Sequence, residues 1–263
     1  MQYLIYYSCT SHIGNVRSIN QDNFICDGHY IETNETNIFF PLCGIKSSKE
    51  VSIFGVFDGM GGEECGEIAS YIAAKNASIL SVDGSPATTL TKFCQTVNAE
   101  ICSYVEENNL SSMGTTAAIL AFSNDRITLC NIGDSKIFRF SNGILEQISK
   151  DHITVSAFGV KPPLSQNLGI PPMELVIDPY LAQGNYNDGD IYLICSDGLT
   201  DMVSVEEIID VLNSTPIKDS VEMLLDKALV GGGKDNTTII LCKIERQSGW
   251  LFNRKRYSKR KEV

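Results

Sequence analysis

Short apolar segments rich in β-branched residues recur along the chain, with polar turn residues between them. Their length of about five to eight residues and their Gly, Asp and Asn boundaries favour buried strands over helices. The predicted strands cover residues 51–57, 115–122, 127–132, 136–140, 191–195 and 237–244. Asn124-Asp125 and the tripeptide 141–143 separate consecutive strands as hairpin turns, so residues 115–148 are predicted to form an antiparallel meander.

Four longer segments carry apolar residues at helical spacing instead. They cover residues 63–80, 86–107, 205–212 and 220–229. Pro86 occupies a first-turn position that tolerates proline, Ser204 is a candidate N-cap, and Gly231 follows the last helix as a stop signal. Strands, a helix pair, more strands, a second helix pair and a final strand predict an α+β fold, in which helices cover antiparallel sheets.

The composition indicates a globular chain with an uneven distribution of charge. Of 263 residues, 43% are hydrophobic and 20% are charged, with no internal repeat or interior low-complexity linker. The net charge of −11 combines a local +6 over residues 246–263 with −17 over the rest. We therefore expect one domain, 1–245, and a basic, flexible tail, 246–263. The alternative for the tail is a membrane-surface or partner contact through Trp250-Leu251-Phe252.

Charge and cysteine content exclude several classes of protein. Acidic residues outnumber basic ones by 32 to 21, which argues against general nucleic-acid binding. Nine cysteines without a CxxC pair predict reduced thiols. No apolar run approaches the roughly 18 residues of a membrane span, and the first ten residues lack the basic start of a signal peptide. We expect a cytoplasmic monomer.

Five aspartates lie at the ends of predicted strands. They are Asp22, Asp58, Asp134, Asp197 and Asp235. A single Asp of this kind is most simply a turn residue, but five carboxylates at one rim raise each other's pKa unless a cation neutralises them. Oxygen ligands without a matching His or Cys set favour Mg²⁺ or Mn²⁺. The residues alone therefore predict a divalent-metal site that holds two ions.

Such a site suggests phosphoester hydrolysis. Two hard ions close together share a bridging hydroxide, place it in line with a phosphorus atom and lower the pKa of its parent water, so no protein nucleophile is needed. Arg17 precedes Asp22 by five residues and is placed to bind the phosphate oxygens with a bidentate fork. The alternative is that Arg17 is only a surface charge.

Six polar and glycine-rich segments follow one another along the chain. They are Gly14-x-x-Arg17-x-x-Asn20-Gln21-Asp22, Phe57-Asp58-Gly59-Met60-Gly61-Gly62, Met113-Gly114-Thr115-Thr116, Asn131-Ile132-Gly133-Asp134-Ser135-Lys136, Cys195-Ser196-Asp197-Gly198-Leu199-Thr200 and Lys234-Asp235-Asn236-Thr237-Thr238. In this order they resemble the metal-dependent serine/threonine protein phosphatases of type 2C. The resemblance spans about residues 5–244. It implies two stacked antiparallel β-sheets flanked by helix pairs, an α-β-β-α sandwich.

The resemblance also implies roles for the matching residues in metal binding. Asp58 would bridge the two catalytic Mn²⁺ or Mg²⁺ ions, and Gly59 would offer its carbonyl oxygen to one of them. Asp197 and Asp235 would complete the shell of the other ion. Asp22 would hold the first ion, directly or through water.

Two further matches concern phosphate and a third ion. Arg17 would bind the substrate phosphate, and Asp134 together with Asp197 would hold a third, weaker ion. The implied reaction is hydrolysis of phosphoserine and phosphothreonine in phosphorylated proteins, opposing a serine/threonine kinase in signalling. Gly114 to Thr116 and Ser135 are expected to be structural.

The chain departs from the family pattern at several positions. Met60 stands where some members carry a His that is a candidate general acid, and Met cannot donate a proton. Gln21 stands where Glu is frequent, and its amide can still orient a water. His152, at the entrance to a flap, is either a structural residue or part of the site. Eleven residues separate it from Leu164, where bacterial relatives have a longer insert that bears on substrate choice and the third ion.

Two other functions remain open at this point. One is a silent pseudophosphatase that binds phosphoproteins, against which the intact set of aspartates argues. The other is a metal-dependent phosphatase of small phosphoesters, which differs from a protein phosphatase in its turnover of free phosphoserine.

Overall fold

The computed structural model describes residues 2–32, 37–38, 41–61, 65–82, 84–155 and 162–247. The strands within these ranges are β1 (Tyr3–His12), β2 (Asp22–Cys26), β3 (Leu42–Ser47), β4 (Ser52–Met60), β5 (Gly114–Thr115), β6 (Ala117–Ser123), β7 (Arg126–Ile132), β8 (Lys136–Ser141), β9 (Ile144–Gln147), β10 (Tyr180–Asn185), β11 (Ile191–Cys195) and β12 (Thr237–Arg246). The helices are α1 (Gly66–Ser78), α2 (Pro86–Glu107), α3 (Asp197–Thr200), α4 (Val205–Ser214) and α5 (Ile217–Val230).

The strands form two antiparallel sheets. One has the order β3-β1-β12-β11-β8-β9, and the other has the order β10-β7-β6-β4-β2, with β5 paired to β4. Helices α1 and α2 pack on the second sheet, while α4 and α5 pack on the first. The predicted α+β sandwich of two sheets between helix pairs is confirmed.

Strand β6 is apolar throughout because both of its faces are buried. Ile119 and Ala121 face the helices of the second sheet, whereas Leu120 and Phe122 face the first sheet. The ring of Phe122 packs edge-on against Tyr192 of β11, with 5.5 Å between ring centroids. A strand covered on both faces reads as a continuous apolar run, so the core lies in three layers with β6 between two of them.

Local sequence signals set several helix boundaries. Helix α2 spans the predicted residues 86–107, with Pro86 in its first turn. Helix α4 begins after a capping box, in which the Ser204 side chain accepts from the Glu207 backbone N–H and the Glu207 carboxylate accepts from Ser204. Helix α5 begins at Ile217, three residues before the predicted start, and ends before Gly231 as predicted. The predicted helix 63–80 is observed over 66–78; its residues 63–64 lie outside the described ranges.

The prediction of one meander over residues 115–148 is wrong. Its two hairpins exist, with positive φ at Asn124 (55°) and at Asn142 (51°), but β7 and β8 belong to different sheets. Between them Gly133 has a φ of 97°, and the turn it makes carries the chain from one sheet to the other. Turn residues in a sequence indicate that the chain changes direction, but they do not indicate which sheet the next strand joins.

Two expectations concern the ends of the chain and the membrane. From residue 248 onward the predicted tail 246–263 lies outside the described ranges. Among the helices that are described, none is both long and apolar enough to span a bilayer.

Candidate active site

A cavity of about 420 Å³ opens where the two sheets meet. Its walls hold every predicted site residue but one: Arg17, Asp58, Gly59, Asp134, Asp197 and Asp235. The exception is Asp22, which is not part of the wall. The fold therefore brings together residues that are more than 200 positions apart in the sequence, such as Arg17 and Asp235.

Asp58 and Asp22 are directly opposed on neighbouring strands, β4 and β2. Burial raises the pKa of Asp58 well above its ordinary value, and the charges of Asp22, Asp197, Asp134 and Asp235 raise it further. Like charges opposed across a ladder are destabilising, so the strand pairing holds these carboxylates together against their repulsion.

Asp22 lies behind the cavity, with 3% of its surface exposed. Burial raises its pKa to about 7, although hydrogen bonds from Ser196 and Thr238 oppose the shift. The Ser196 hydroxyl donates to Asp22 Oδ2 at 2.7 Å and accepts from the Thr238 N–H at 3.0 Å. Ser196 thus links Asp22 to the strand that follows Asp235, a positioning role that sequence reasoning missed.

Asp134 follows β7 in the turn between the sheets, and His152 supports this turn. The Gly133 N–H donates to His152 Nδ1 at 3.2 Å, and the His152 N–H donates to the Gly133 carbonyl at 2.9 Å. An accepting Nδ1 belongs to a neutral imidazole, and burial lowers the pKa of His152 accordingly. Of the two roles considered for His152, these contacts are those of a structural residue.

The loop before β2 carries Arg17 into the cavity. Arg17 Nη2 donates to Asp235 Oδ2 at 2.7 Å, and this bond raises the pKa of the guanidinium. Asn236 holds the loop in place: its Oδ1 accepts from the Gln21 N–H at 2.8 Å, and its Nδ2 donates to the carbonyls of Ile13 and Ile19. Asn236 is buried and was not predicted as a site residue, because the partners of its side chain are 215 or more positions away in the sequence.

Close packing around Gly59 explains its residue type. A Cβ at this position would collide with the carbonyl oxygens of Gly66 and Gln21. The neighbouring backbone of Asp58 is held on both sides, since its N–H donates to Thr116 Oγ1 at 3.0 Å and its carbonyl accepts from Thr115 Oγ1 at 3.1 Å. Thr115 and Thr116 therefore act on the strand geometry, as expected from the sequence.

The donor set fits divalent cations. Asp58, Asp134, Asp197 and Asp235 line one cavity with Arg17 as their counter-charge, and the pKa of Asp58 is raised by burial and then by the neighbouring carboxylates. In the part of the chain that the structure describes, no three His, Cys, Asp or Glu side chains are positioned to chelate one ion. Asp235 is paired with Arg17, so an ion bound at Asp235 would replace the guanidinium as the partner of that carboxylate.

The flap borders the cavity through Pro162, Pro163 and Leu164. Its base is closed by a bridge between Ile153 and Leu164, and the Thr154 N–H donates to the Pro163 carbonyl at 2.9 Å. Residues 156–161 of the flap lie outside the described ranges. The short flap therefore places proline rings, which have no backbone N–H, at the mouth of the cavity.

Comparison with known proteins agrees with this geometry. The sequence profile of the family described as Protein phosphatase 2C matches residues 42–228, so the chain belongs to the protein phosphatase 2C family. It is 31% identical over 220 residues to the serine/threonine protein phosphatase PstP of Mycobacterium tuberculosis, covering 76% of this chain and 43% of PstP. It is 30% identical over 206 residues to the serine/threonine phosphatase stp of Listeria monocytogenes, covering 71% of this chain and 82% of that protein.

A solved structure extends the similarity to the fold. The catalytic domain of PstP in complex with two manganese ions superposes with a TM-score of 0.75 and 28% identity, covering 93% of this chain and all of that one. The chain thus spans less than half of full-length PstP but the whole of its catalytic domain.

Proposed function

We propose that this chain is a protein serine/threonine phosphatase that hydrolyses phosphoserine and phosphothreonine esters with two Mn²⁺ or Mg²⁺ ions. The observation that carries the proposal is the single cavity in which Arg17 meets four carboxylates. Relatives with this fold are named serine/threonine phosphatases, and one of their structures contains two manganese ions. Carboxylates for the ions and a guanidinium for the phosphate are the two halves of such a site.

Each residue of the metal shell has a proposed role. Asp58 and the Gly59 carbonyl would hold the two catalytic ions together with Asp197 and Asp235. Asp22 would help to hold the first ion, directly or through water, from its place outside the cavity wall. Asp134 would hold a third, weaker ion with Asp197.

The chain's own residues bind and orient the substrate. When bound, the two ions would lower the pKa of a water and neutralise charge on the phosphate. The Arg17 guanidinium holds the phosphate oxygens, and the Gln21 amide on the cavity wall orients water by hydrogen bonding. Met60, also on the wall, has no proton to give, so the leaving alkoxide would take its proton from water or from another group of the site.

The wider setting is also proposed. Residues 1–245 form the catalytic domain, and 246–263 form a basic tail. We propose a monomer that acts in the cytoplasm on proteins phosphorylated by an opposing serine/threonine kinase. The cysteines support a reducing compartment: even Cys94 and Cys130, whose sulfurs are 3.6 Å apart, are free thiols.

Hydrolysis of an aryl phosphate with Mn²⁺, with and without chelator, tests the mechanism. Asp58→Asn should abolish turnover, whereas Asp125→Asn, in an exposed hairpin turn, should leave it unchanged. Thermal unfolding of both variants without metal checks their folding, and Asp58→Asn should be no less stable than wild type because it removes a repelled carboxylate. Full turnover in Asp58→Asn, or turnover that resists chelation, would contradict the proposal.

A second comparison separates the substrate classes. A protein phosphatase releases phosphate from a phosphoserine protein with a higher kcat/KM than from free phosphoserine. The opposite order would favour a phosphatase of small phosphoesters, and phosphopeptide binding without any release would favour a pseudophosphatase.

A further inference from the structure

A second and larger cavity lies beside the active site. Its volume is about 690 Å³, against about 420 Å³ for the catalytic cavity, and the two share Met60 and Gly61 in their walls. We call it the flanking groove. The shared wall leaves room for a peptide chain whose phosphorylated side chain enters the catalytic cavity to extend into the flanking groove.

The walls of the flanking groove come from three separate parts of the fold. Cys102, Val105 and Glu106 belong to the end of α2, Met113 precedes β5, and the segment 167–174 closes the other side. A groove built from a helix, a strand entry and a loop keeps its shape only if the loop is fastened to the other two.

Hydrogen bonds fasten that loop on both sides. Leu168 and Thr115 exchange two backbone hydrogen bonds of 2.9 Å, which join the segment to β5. Asn98, buried on α2, accepts from the Gly169 N–H at 2.7 Å and from the Ile170 N–H at 3.1 Å, and donates to the Ile170 carbonyl at 2.9 Å. The groove is therefore formed before any ligand arrives, which lowers the entropic cost of binding.

The side chains of the groove select a kind of ligand. Its apolar wall includes Met60, Val105 and Met113, and its charged groups are Glu106 and Glu174, with no Lys or Arg among the residues described as lining it. Both glutamates line the groove together with Cys102, and the pKa of the Cys102 thiol is raised by burial and then by these two carboxylates. An apolar surface that ends in two carboxylates suits a side chain with an aliphatic stem and a cationic head.

We propose that the flanking groove binds a Lys or Arg side chain of the substrate protein, at a position close to the phosphorylated residue. The proposal rests on the proposed phosphatase function and adds a sequence preference to it. Free phosphate and acidic flanking residues are disfavoured in the groove by the same two carboxylates.

Phosphopeptides of one length test the preference. A phosphoserine peptide of otherwise neutral residues carries a single Arg, or a Glu in its place, at each flanking position in turn. The wild-type enzyme should show a kcat/KM roughly three- to tenfold higher for Arg than for Ala at one or two positions on one side, and lower for Glu.

Two double variants show whether the groove is responsible. Glu106→Gln with Glu174→Gln should remove the Arg preference, and Glu106→Lys with Glu174→Lys should turn it into a Glu preference. The control, Glu222→Gln with Asp226→Asn, removes two exposed charges from α5 and should keep the preference. All variants should hydrolyse an aryl phosphate as wild type does, since that substrate has no flanking residues.

The outcomes separate this proposal from the one on which it rests. Equal kcat/KM for Arg, Ala and Glu peptides, together with normal aryl phosphate turnover, would overturn the groove proposal alone. If wild type released no phosphate from any substrate, the proposed function would fail, and fluorescence anisotropy of labelled Arg and Ala peptides would still test the groove. Equal affinity of wild type and the Gln double variant for the Arg peptide would then overturn it.

Discussion

The guanidinium of Arg17 donates a 2.7 Å hydrogen bond to the carboxylate of Asp235. Asp235 is a proposed metal ligand and Arg17 is the proposed phosphate ligand, so one ion pair connects the two halves of the site. An ion bound by the Asp235 carboxylate would remove the partner of Arg17 and leave the guanidinium facing the cavity. If both proposed roles hold, metal binding and phosphate binding would be coupled through this contact.

Arg17→Ala should raise the affinity for Mn²⁺ by about two- to fivefold, because a half-exposed ion pair of this kind is worth up to about 1 kcal/mol. The same variant should lower kcat/KM for an aryl phosphate, since the phosphate loses its bidentate ligand. Isothermal titration with Mn²⁺ measures the first effect, and initial rates measure the second.

Lys234→Ala provides the control for this coupling. It removes an exposed positive charge next to Asp235 in the sequence without removing the Arg17 contact. If Lys234→Ala raised the Mn²⁺ affinity as much as Arg17→Ala does, general electrostatics would explain the effect and the coupling would be wrong.

The metal-free protein should lose stability as the pH rises. The pKa of Asp22 is raised from 3.8 to about 7 by burial, so the native state holds a proton that the unfolded chain releases above about pH 4. This contribution is complete below the unfolded pKa and is lost as pH rises through about 7. In chelator, the midpoint temperature of thermal unfolding should therefore decrease as the pH rises from about 4 to about 7, and should level off at higher pH.

Two variants identify Asp22 as the source of that slope. Asp22→Asn carries a neutral amide at every pH and should flatten the fall in unfolding temperature, whereas Asp125→Asn should keep it. A slope unchanged in Asp22→Asn would assign the proton to another carboxylate of the cavity, with Asp58 the first candidate because its pKa is raised as well.

Asn98 should matter for stability more than its polar side chain suggests. It makes three hydrogen bonds to the segment that closes the flanking groove and is 5% exposed. Asn98→Leu leaves those backbone groups without partners and should cost about 2–4 kcal/mol in the free energy of unfolding, measured in urea. Asn213→Leu, at an exposed position of α4, should change it by less than about 0.5 kcal/mol. A similar small change at Asn98 would show that the segment is held by other contacts.

Helices and strands were predicted correctly where the local sequence pattern was strong. Residues 86–107 combine a first-turn proline with six turns of amphipathic spacing, and the helix has those bounds. Strand β1 was missed because Ser8, Thr10 and Ser11 give it a polar end, and they are buried only because distant groups satisfy them: Ser11 Oγ contacts Thr238 Oγ1 at 2.8 Å. Buried polar residues with partners elsewhere in the chain have no local signature.

The charged residues that line the catalytic cavity were predicted from the sequence, whereas the amides and hydroxyls that position them were missed. Aspartates at strand ends can be found in a sequence because the apolar strands are predictable and their ends lie at the rim of the sheet. Asn98, Ser196 and Asn236 act through hydrogen bonds to backbone groups that are 42 to 223 positions away. The depth of Asp22 also needed the register of β2 against β4, since the sequence places it at the same rim as the others.

The basic tail should be dispensable for the chemistry. Deletion of residues 248–263 should leave turnover of an aryl phosphate unchanged, because β12 leads away from the cavity after Thr237 and ends in its pairing with Tyr3. A large loss of turnover, with the melting temperature preserved, would mean that the tail contributes to the site. The same deletion tests the proposed division of the chain at residue 245.

A substitution at Asp134 should distinguish the binding of the proposed third ion from that of the other two. It lies on the cavity wall in the turn after β7, whereas Asp58, Asp197 and Asp235 stand on or beside other strands. Asp134→Ala should therefore slow turnover by about tenfold at limiting Mn²⁺, while two ions still bind. Metal content after gel filtration counts the ions, and Asp125→Ala serves as the control. Loss of all bound metal in Asp134→Ala would place this carboxylate in the shell of the two catalytic ions, since removal of a weaker neighbouring site leaves their own ligands intact.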